Sequence, residues 1–214
     1  MADESWYRRR AWTAEDQAAF HEKLRRSRGG FNKAQYCRIQ AYELQQAGNY
    51  RGALELLNLL MTEWPDDAQK AAVFHQMAEC HEALGDLTAA LANYRAVFDT
   101  QRKKPGQRTN AHLGFGMLVA LTPYPEFYDE ALSVLDECES SASFPILEFE
   151  SAMIRAIIAD AKGSKESASR QAKTALAAAA RKHSGYARHA ALGLVASIKP
   201  DLEARLKKIA EQGW

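Results

Sequence analysis

A glycine-centred signature that occurs twice constrains this chain more than any other feature. Gly48-Asn49-Tyr50-Arg51-Gly52-Ala53-Leu54 returns as Gly85-Asp86-Leu87-Thr88-Ala89-Ala90-Leu91, with the two glycines 37 residues apart. Each copy has one apolar-periodic segment before it and another after it. A glycine turn with a small residue five places on joins two antiparallel helices and lets them pack closely. Self-similarity at a period of about 20–50 residues is the mark of stacked repeats, whose units share one core. The expected architecture is a helix-pair array, and the expected class of function is holding another molecule.

The rest of the chain extends this pattern. Pro65, Pro105, Pro123, Pro125, Pro145 and Pro200 all fall between periodic segments, where proline stops one helix or starts the next. A first helix is predicted over about 14–28, with Thr13 as N-cap, Phe20 and Leu24 on its apolar face, and Gly29-Gly30 ending it. Helix pairs are predicted at about 33–47 with 51–63 and 67–84 with 88–103. Two more follow at 108–121 with 127–139 and 146–162 with 165–181. Final helices are expected over 185–197 and 200–212, although Gly114, Gly116 and Gly193 weaken the helical pattern around them. No segment alternates with a period of two, so no strand is predicted. The expected division is an N-terminal segment with a capping helix (1–30), about four helix pairs (31–182) and C-terminal capping helices (183–214). These form one continuous domain.

Charge and cysteine content narrow the function classes. Over 214 residues the net charge is +1, so no global field recruits nucleic acid or an anionic membrane. The charge is nevertheless unevenly placed. Residues 126–160 carry one basic residue, Arg155, against nine acidic ones, and residues 161–214 sum to +7. Cys37, Cys80 and Cys138 are odd in number and lack C-x-x-C spacing, so neither a disulfide framework nor a zinc knuckle is indicated. The N-terminal ten residues lack the apolar run of a signal peptide, and no window is long and apolar enough for a transmembrane span. A cytoplasmic location away from membranes is the expectation.

The repeat residues resemble the tetratricopeptide repeat family, whose helix pairs span about 34 residues. In the first unit Ala41, Gly48, Tyr50, Ala53, Leu57, Leu60 and Pro65 fall in the family's register, with leucine where alanine is usual. The second unit offers Phe74, Ala78, Gly85, Ala90 and Tyr94, and has Arg102 in place of the closing proline. The third keeps Tyr128, Ala131 and Leu135 around a stretched turn. The fourth, alanine-rich, keeps Ala156, Gly163, Ala168, Ala172 and Ala175. The match covers about residues 34–182. It implies an all-α fold, a right-handed α-solenoid of antiparallel helix pairs with an extra N-terminal helix and C-terminal capping helices.

The resemblance also implies a concave groove lined by the first helix of each pair. On this chain those positions are Gln35, Arg38, Tyr42, Gln45 and Gln46 in the first unit, and His75, Glu79 and Glu82 in the second. The fourth unit contributes Glu150, Met153, Ile157 and Asp160. The surface is mixed with an acidic bias, which suits a protein or peptide partner offering basic and apolar contact residues. Tyr42 stands where some family members need an asparagine to grip a C-terminal carboxylate, so recognition of chaperone tails is not expected. The implied function is a non-catalytic interaction module, an adaptor or regulator. An alternative within the same class is an immunity-type protein that neutralises a partner toxin.

Other chemistry finds less support. His75, Glu79 and Glu82 lie at i, i+4 and i+7 on one helical face, a metal-ligand arrangement, but no second ligand-bearing helix is identifiable and no metal is assigned. Gly114-Phe115-Gly116 follows no strand and lacks a third glycine, so it is no phosphate loop. No nucleophile, base and orienting group can be assigned together, so neither catalysis nor a cofactor is expected. Trp6-Tyr7-Arg8-Arg9-Arg10-Ala11-Trp12 interleaves aromatic and basic residues, and Arg102, Lys103, Lys104 and Arg108 form a basic loop. Both could serve nucleic acid by stacking and phosphate attraction. The competing reading plugs the open end of the stack with the rings and leaves the arginines in water, and near-neutral net charge favours it. A homo-oligomer is compatible with Trp214 and the alanine-rich fourth pair.

Overall fold

The structure, a computed structural model, describes residues 4–122, 124–138, 144–186 and 188–212, with side chains from residue 6 onward. Pro123 in the third turn, residue 139 at the end of one expected helix, and Trp214 lie outside the described residues. Among those described there are ten α-helices, two short 3-10 turns and no strand. None of the helices is long and apolar enough to cross a membrane. The chain divides into two compact units, residues 1–111 and 112–214.

The first unit holds α1 (Ala14–Arg26), α2 (Gly30–Gln46), α3 (Tyr50–Glu63), α4 (Lys70–Ala83) and α5 (Leu87–Lys103). Helices α2 and α3 pack as one pair, α4 and α5 as the next, and α3 meets α4 between them. The second unit holds α6 (Ala111–Leu121), α7 (Tyr128–Cys138), α8 (Pro145–Ala161), α9 (Lys165–Ala179) and α10 (Pro200–Ala210). There α8 and α9 pack as a pair and α10 lies against α9.

The glycine signature is a physical joint. Gly48, Gly85 and Gly163 adopt φ of 79°, 76° and 76°, the left-handed region that only glycine enters cheaply. Each closes its helix by the same two bonds. Asn49 N–H donates to the Leu44 carbonyl at 2.8 Å, Asp86 N–H to His81 at 2.9 Å and Ser164 N–H to Ala159 at 2.9 Å, while each glycine N–H reaches back three residues at 3.0 Å. The residue after the glycine then starts the next helix. Asn49 accepts the Gly52 N–H at 3.0 Å and Asp86 accepts the Ala89 N–H at 3.1 Å. Five places beyond each glycine stand Ala53, Ala90 and Ala168, all fully buried, where a larger side chain would push the paired helices apart.

An N-terminal strap and α1 wall off the first pair. Trp6 and Tyr7 pack against Tyr36 of α2 at ring distances of 5.0 and 4.7 Å, and Trp6 and Trp12 each lie 5.4 Å from Phe20 of α1. Gln40 is 0% exposed and spends its whole carboxamide on one residue of the strap: Arg9 N–H donates to Oε1 at 3.0 Å and Nε2 donates to the Arg9 carbonyl at 2.5 Å. Thr13 and Asp16 form a reciprocal capping box that starts α1 where the sequence placed it.

In the second unit the expected helix over 185–197 is absent. The described residues between 180 and 199 form turns and irregular loop instead, so α10 is the single C-terminal helix among the described residues. Gly185 and Gly193 take φ of 91° and 67°, and Ser184 competes for the backbone: its N–H donates to Ala190 O at 2.8 Å and its Oγ to His189 O at 2.7 Å. Those bonds close a loop that a helix cannot accommodate. Gly116, by contrast, is accommodated inside α6, where Ile154 of α8 comes so near that an added Cβ would lie 3.0 Å from it.

Candidate functional site

In the first unit α2 and α4 present their groove positions side by side. Two bridges set the register between them. Arg38 Nε donates to Gln69 Oε1 at 2.9 Å, and Gln45 Nε2 donates to Glu79 Oε2 at 2.7 Å. The structure therefore brings Gln45 to Glu79, an α4 residue that the sequence reading selected, while Arg38 meets Gln69, which that reading did not select. Tyr42, one turn from Arg38 and from Gln45, is 51% exposed, an unusual position for a ring of that size, and Gln35 is half-buried on the same helix.

The acidic end of this surface is chemically distinctive. Glu82 accepts the hydroxyl proton of Tyr94 at 3.0 Å, and His75 Nε2 lies 3.5 Å from Glu79 Oε1. Burial raises the Glu82 carboxyl above its ordinary range, the Tyr94 bond opposes that shift, and the charge on Glu79 adds to it. Burial also pulls the His75 imidazole below its ordinary range, against the attraction of Glu79, which keeps the ring neutral at neutral pH. Tyr94, buried beneath them, is pushed upward by burial and by the Glu82 charge, so it stays a donor. At the opposite end burial lowers the Arg38 guanidinium from its usual value.

The hydrogen-bond donors to Glu79 and Glu82 are thus Gln45 and Tyr94, with the neutral His75 ring 3.5 Å from Glu79. Among the described residues no lysine or arginine pairs with either carboxylate. Each carboxylate thus has a neutral donor and no paired cation, while Oε1 of Gln45 is buried without a hydrogen-bond partner. No group of three His, Cys, Asp or Glu side chains among the described residues is placed to hold a metal ion.

A stability consequence follows from Glu82. Its raised carboxyl means that the unfolded chain releases this proton at lower pH than the folded chain does. Folding stability therefore falls as pH rises from the ordinary glutamate range through the folded value. Glu82→Gln, which keeps an acceptor for Tyr94, is expected to unfold at a higher temperature than the parent at neutral pH. The difference should vanish below about pH 4, where both side chains are uncharged. Paired thermal melts at neutral and acid pH measure this.

The fourth-unit candidates behave differently. Met153 is 2% and Ile157 0% exposed, so these two are core residues and not groove lining. Helix α8 buries Phe149, Ala152, Met153, Ile154, Ala156, Ile157 and Ile158, and a helix apolar around most of its circumference belongs to the interior. Glu150 is half-buried with its carboxyl raised by burial, while Asp160 is paired with Lys165 at 3.0 Å.

The aromatic half of the basic N-terminus is used inside the first unit. Arg9 pairs with Asp16 at 2.7 Å and Arg10 with Glu43 at 3.5 Å. In the other basic loop Lys104 pairs with Asp67 at 2.7 Å and Arg102 with Asp99 at 3.3 Å. Two residues that bond to these side chains were not singled out by sequence reasoning for that role: Gln69, which holds Arg38, and Tyr94, which holds Glu82. Tyr94 was visible only as the aromatic of the repeat register. No protein-family model, curated protein or solved structure matches this chain.

Proposed function

We propose that this protein is a non-catalytic binding module, built from helix pairs of tetratricopeptide type, the elements of a right-handed α-solenoid. It takes a protein or peptide partner on the α2–α4 face of its first unit. The observation that carries this reading is the pair of carboxylates Glu79 and Glu82, satisfied by neutral donors alone, beside the exposed ring of Tyr42. Such a surface leaves about two negative charges for a partner's lysine or arginine, with Tyr42 as an apolar or cation–π contact. The three glycine joints support the helix-pair assignment.

The partner retained by the purified chain from its native source is to be identified and titrated against variants. Glu79→Lys, on an exposed site, is expected to weaken binding at least about tenfold, since it sets like charges against each other. Glu203→Lys on α10 should leave affinity within about twofold of the parent. Unchanged affinity for Glu79→Lys would falsify the groove assignment.

A further inference from the structure

We infer that the second unit carries a binding surface for single-stranded nucleic acid, made by the loop between α9 and α10 together with the outer faces of those helices. This surface is independent of the groove in the first unit. Its first support is charge. From Ser167 to Pro200 the chain contains no aspartate or glutamate, and it carries Arg170, Lys173, Arg181, Lys182, Arg188 and Lys199. The acidic neighbours on α7 and α8 engage other cations: Asp129 takes Lys162, Asp160 takes Lys165 at 3.0 Å and Glu148 takes Arg181 at 2.8 Å. Arg170, Lys182, Arg188, Lys199, Arg205 and Lys208 are all exposed, and none of the six has an ion-pair partner among the described residues. Helices α9 and α10 also carry Glu166, Asp201 and Glu203, with Glu211 capping α10, and Glu203 pairs with Lys207 at 2.6 Å, so the cations outnumber the acids without being alone. Exposed cations in excess, with no ion-pair partner, are what a phosphate chain neutralises, with release of its counterions.

The second support is an aromatic ring held in place by a built loop. Ser184 closes residues 184–190 with the two bonds described above, and its Oγ also accepts the Tyr186 N–H at 3.1 Å. His183 Nδ1 accepts the Gly185 N–H at 3.0 Å, and His189 N–H donates to Tyr186 O at 3.0 Å. Tyr186 is therefore tied through its N–H to Ser184 and through its carbonyl to His189, 49% exposed, with one side against Phe144 at 5.3 Å between ring centres. Lys182 and Arg188 flank it in sequence. A ring fixed at the surface between cations is a stacking platform for an unpaired base, at little ordering cost.

The same features disfavour a membrane or an acidic protein. Ala177 and Ala204 lie among the cations of α9 and α10, so neither outer face carries the bulky apolar stripe that an interfacial helix buries. An acidic segment would satisfy the charges and leave Tyr186 without a planar partner.

The test uses the whole chain and a labelled oligothymidylate of about twenty nucleotides, followed by fluorescence anisotropy. Binding is expected in about 50 mM salt and should weaken at least about tenfold by about 200 mM. Tyr186→Leu keeps an apolar contact with Phe144 but cannot stack, and should lose about tenfold in affinity. The combined variant Lys182→Gln, Arg188→Gln, Arg205→Gln and Lys208→Gln should lose more and flatten the salt dependence. Arg8→Gln with Arg10→Gln, on the first unit, should change affinity by less than about twofold. The inference is overturned by any of three results: no binding in low salt, equal binding by the Tyr186→Leu variant, or preferential binding to phosphatidylserine vesicles or poly-aspartate. Circular dichroism of each variant separates loss of binding from loss of fold.

Discussion

Phe20→Ala is expected to destabilise the first unit by about 3–5 kcal/mol, the range for removing a fully enclosed aromatic side chain. Phe20 is 1% exposed and is the residue on which the N-terminal strap converges. Trp6 and Trp12 both rest on its ring, and Trp6 in turn contacts Tyr7 and Tyr36. Its removal therefore opens a cavity between strap and helices that several rigid rings border. Rings of that size relax poorly into a void, which places the cost toward the upper end. Two neighbouring interactions should fail with it. The Gln40 carboxamide pairs with Arg9 only while the strap stays seated, and separating them leaves a buried polar side chain without partners. Chemical denaturation followed by tryptophan fluorescence measures the change. A loss below about 1 kcal/mol would show that the strap is peripheral to the fold.

Gly193→Ala should be the most damaging single-atom change in the second unit, with a loss of about 2–4 kcal/mol. Two independent costs meet at this position. The backbone sits at φ 67°, where a side chain is strained, and an added Cβ would stand 2.5 Å from Cβ of Phe144 and 2.6 Å from its ring. The backbone cannot yield easily, because the Gly193 carbonyl accepts the Ile146 N–H at 2.8 Å at the start of α8. Phe144 also supports Tyr186, so the substitution should loosen the loop as well as destabilise the unit. Hydrogen exchange at the Ser184 and Tyr186 amides would report that loosening. The same change at Gly106, where nothing lies within reach of an added Cβ, is the control and should be nearly neutral.

These two positions also mark how far the sequence could be read. The glycine joints were legible because one residue type, one dihedral requirement and one spacing coincide, and both closing bonds and the alanine five places on accompany them. Phe20 and Leu24 were legible as the buried stripe of α1 for the same kind of local reason. The 185–197 segment was misleading because Ala190, Ala191, Leu194, Val195 and Ile198 suggest helical spacing. The winning interactions, from Ser184 and Gly193, depend on loop closure that periodicity does not encode. Met153 and Ile157 were placed on a groove by repeat register. That register cannot tell a helix with one buried face from a helix enclosed on most sides, as α8 is.

The contacts between α2 and α4 were legible only in part. The resemblance to the repeat family selected Arg38, Tyr42, Gln45, His75, Glu79 and Glu82, and the structure joins the two helices at Gln45 and Glu79. What the chain order conceals is that Tyr94, twelve residues after Glu82 on the following helix, supplies the hydroxyl beneath that carboxylate. Pairing across helices decides this, and it sets whether a carboxylate there meets a neutral donor or a cation.

The strap bound by Gln40 has a practical corollary for anyone trimming this chain for expression or crystallisation. A shortened version cut at the first α-helix would discard Trp6, Tyr7 and Trp12 along with the peptide group that Gln40 grips. The residues before Ala14 look like a dispensable leader in a helix diagram, but in three dimensions they behave as the missing neighbour of the first pair. Removing them would leave α2 with a greasy flank and an orphaned amide, the ingredients of aggregation.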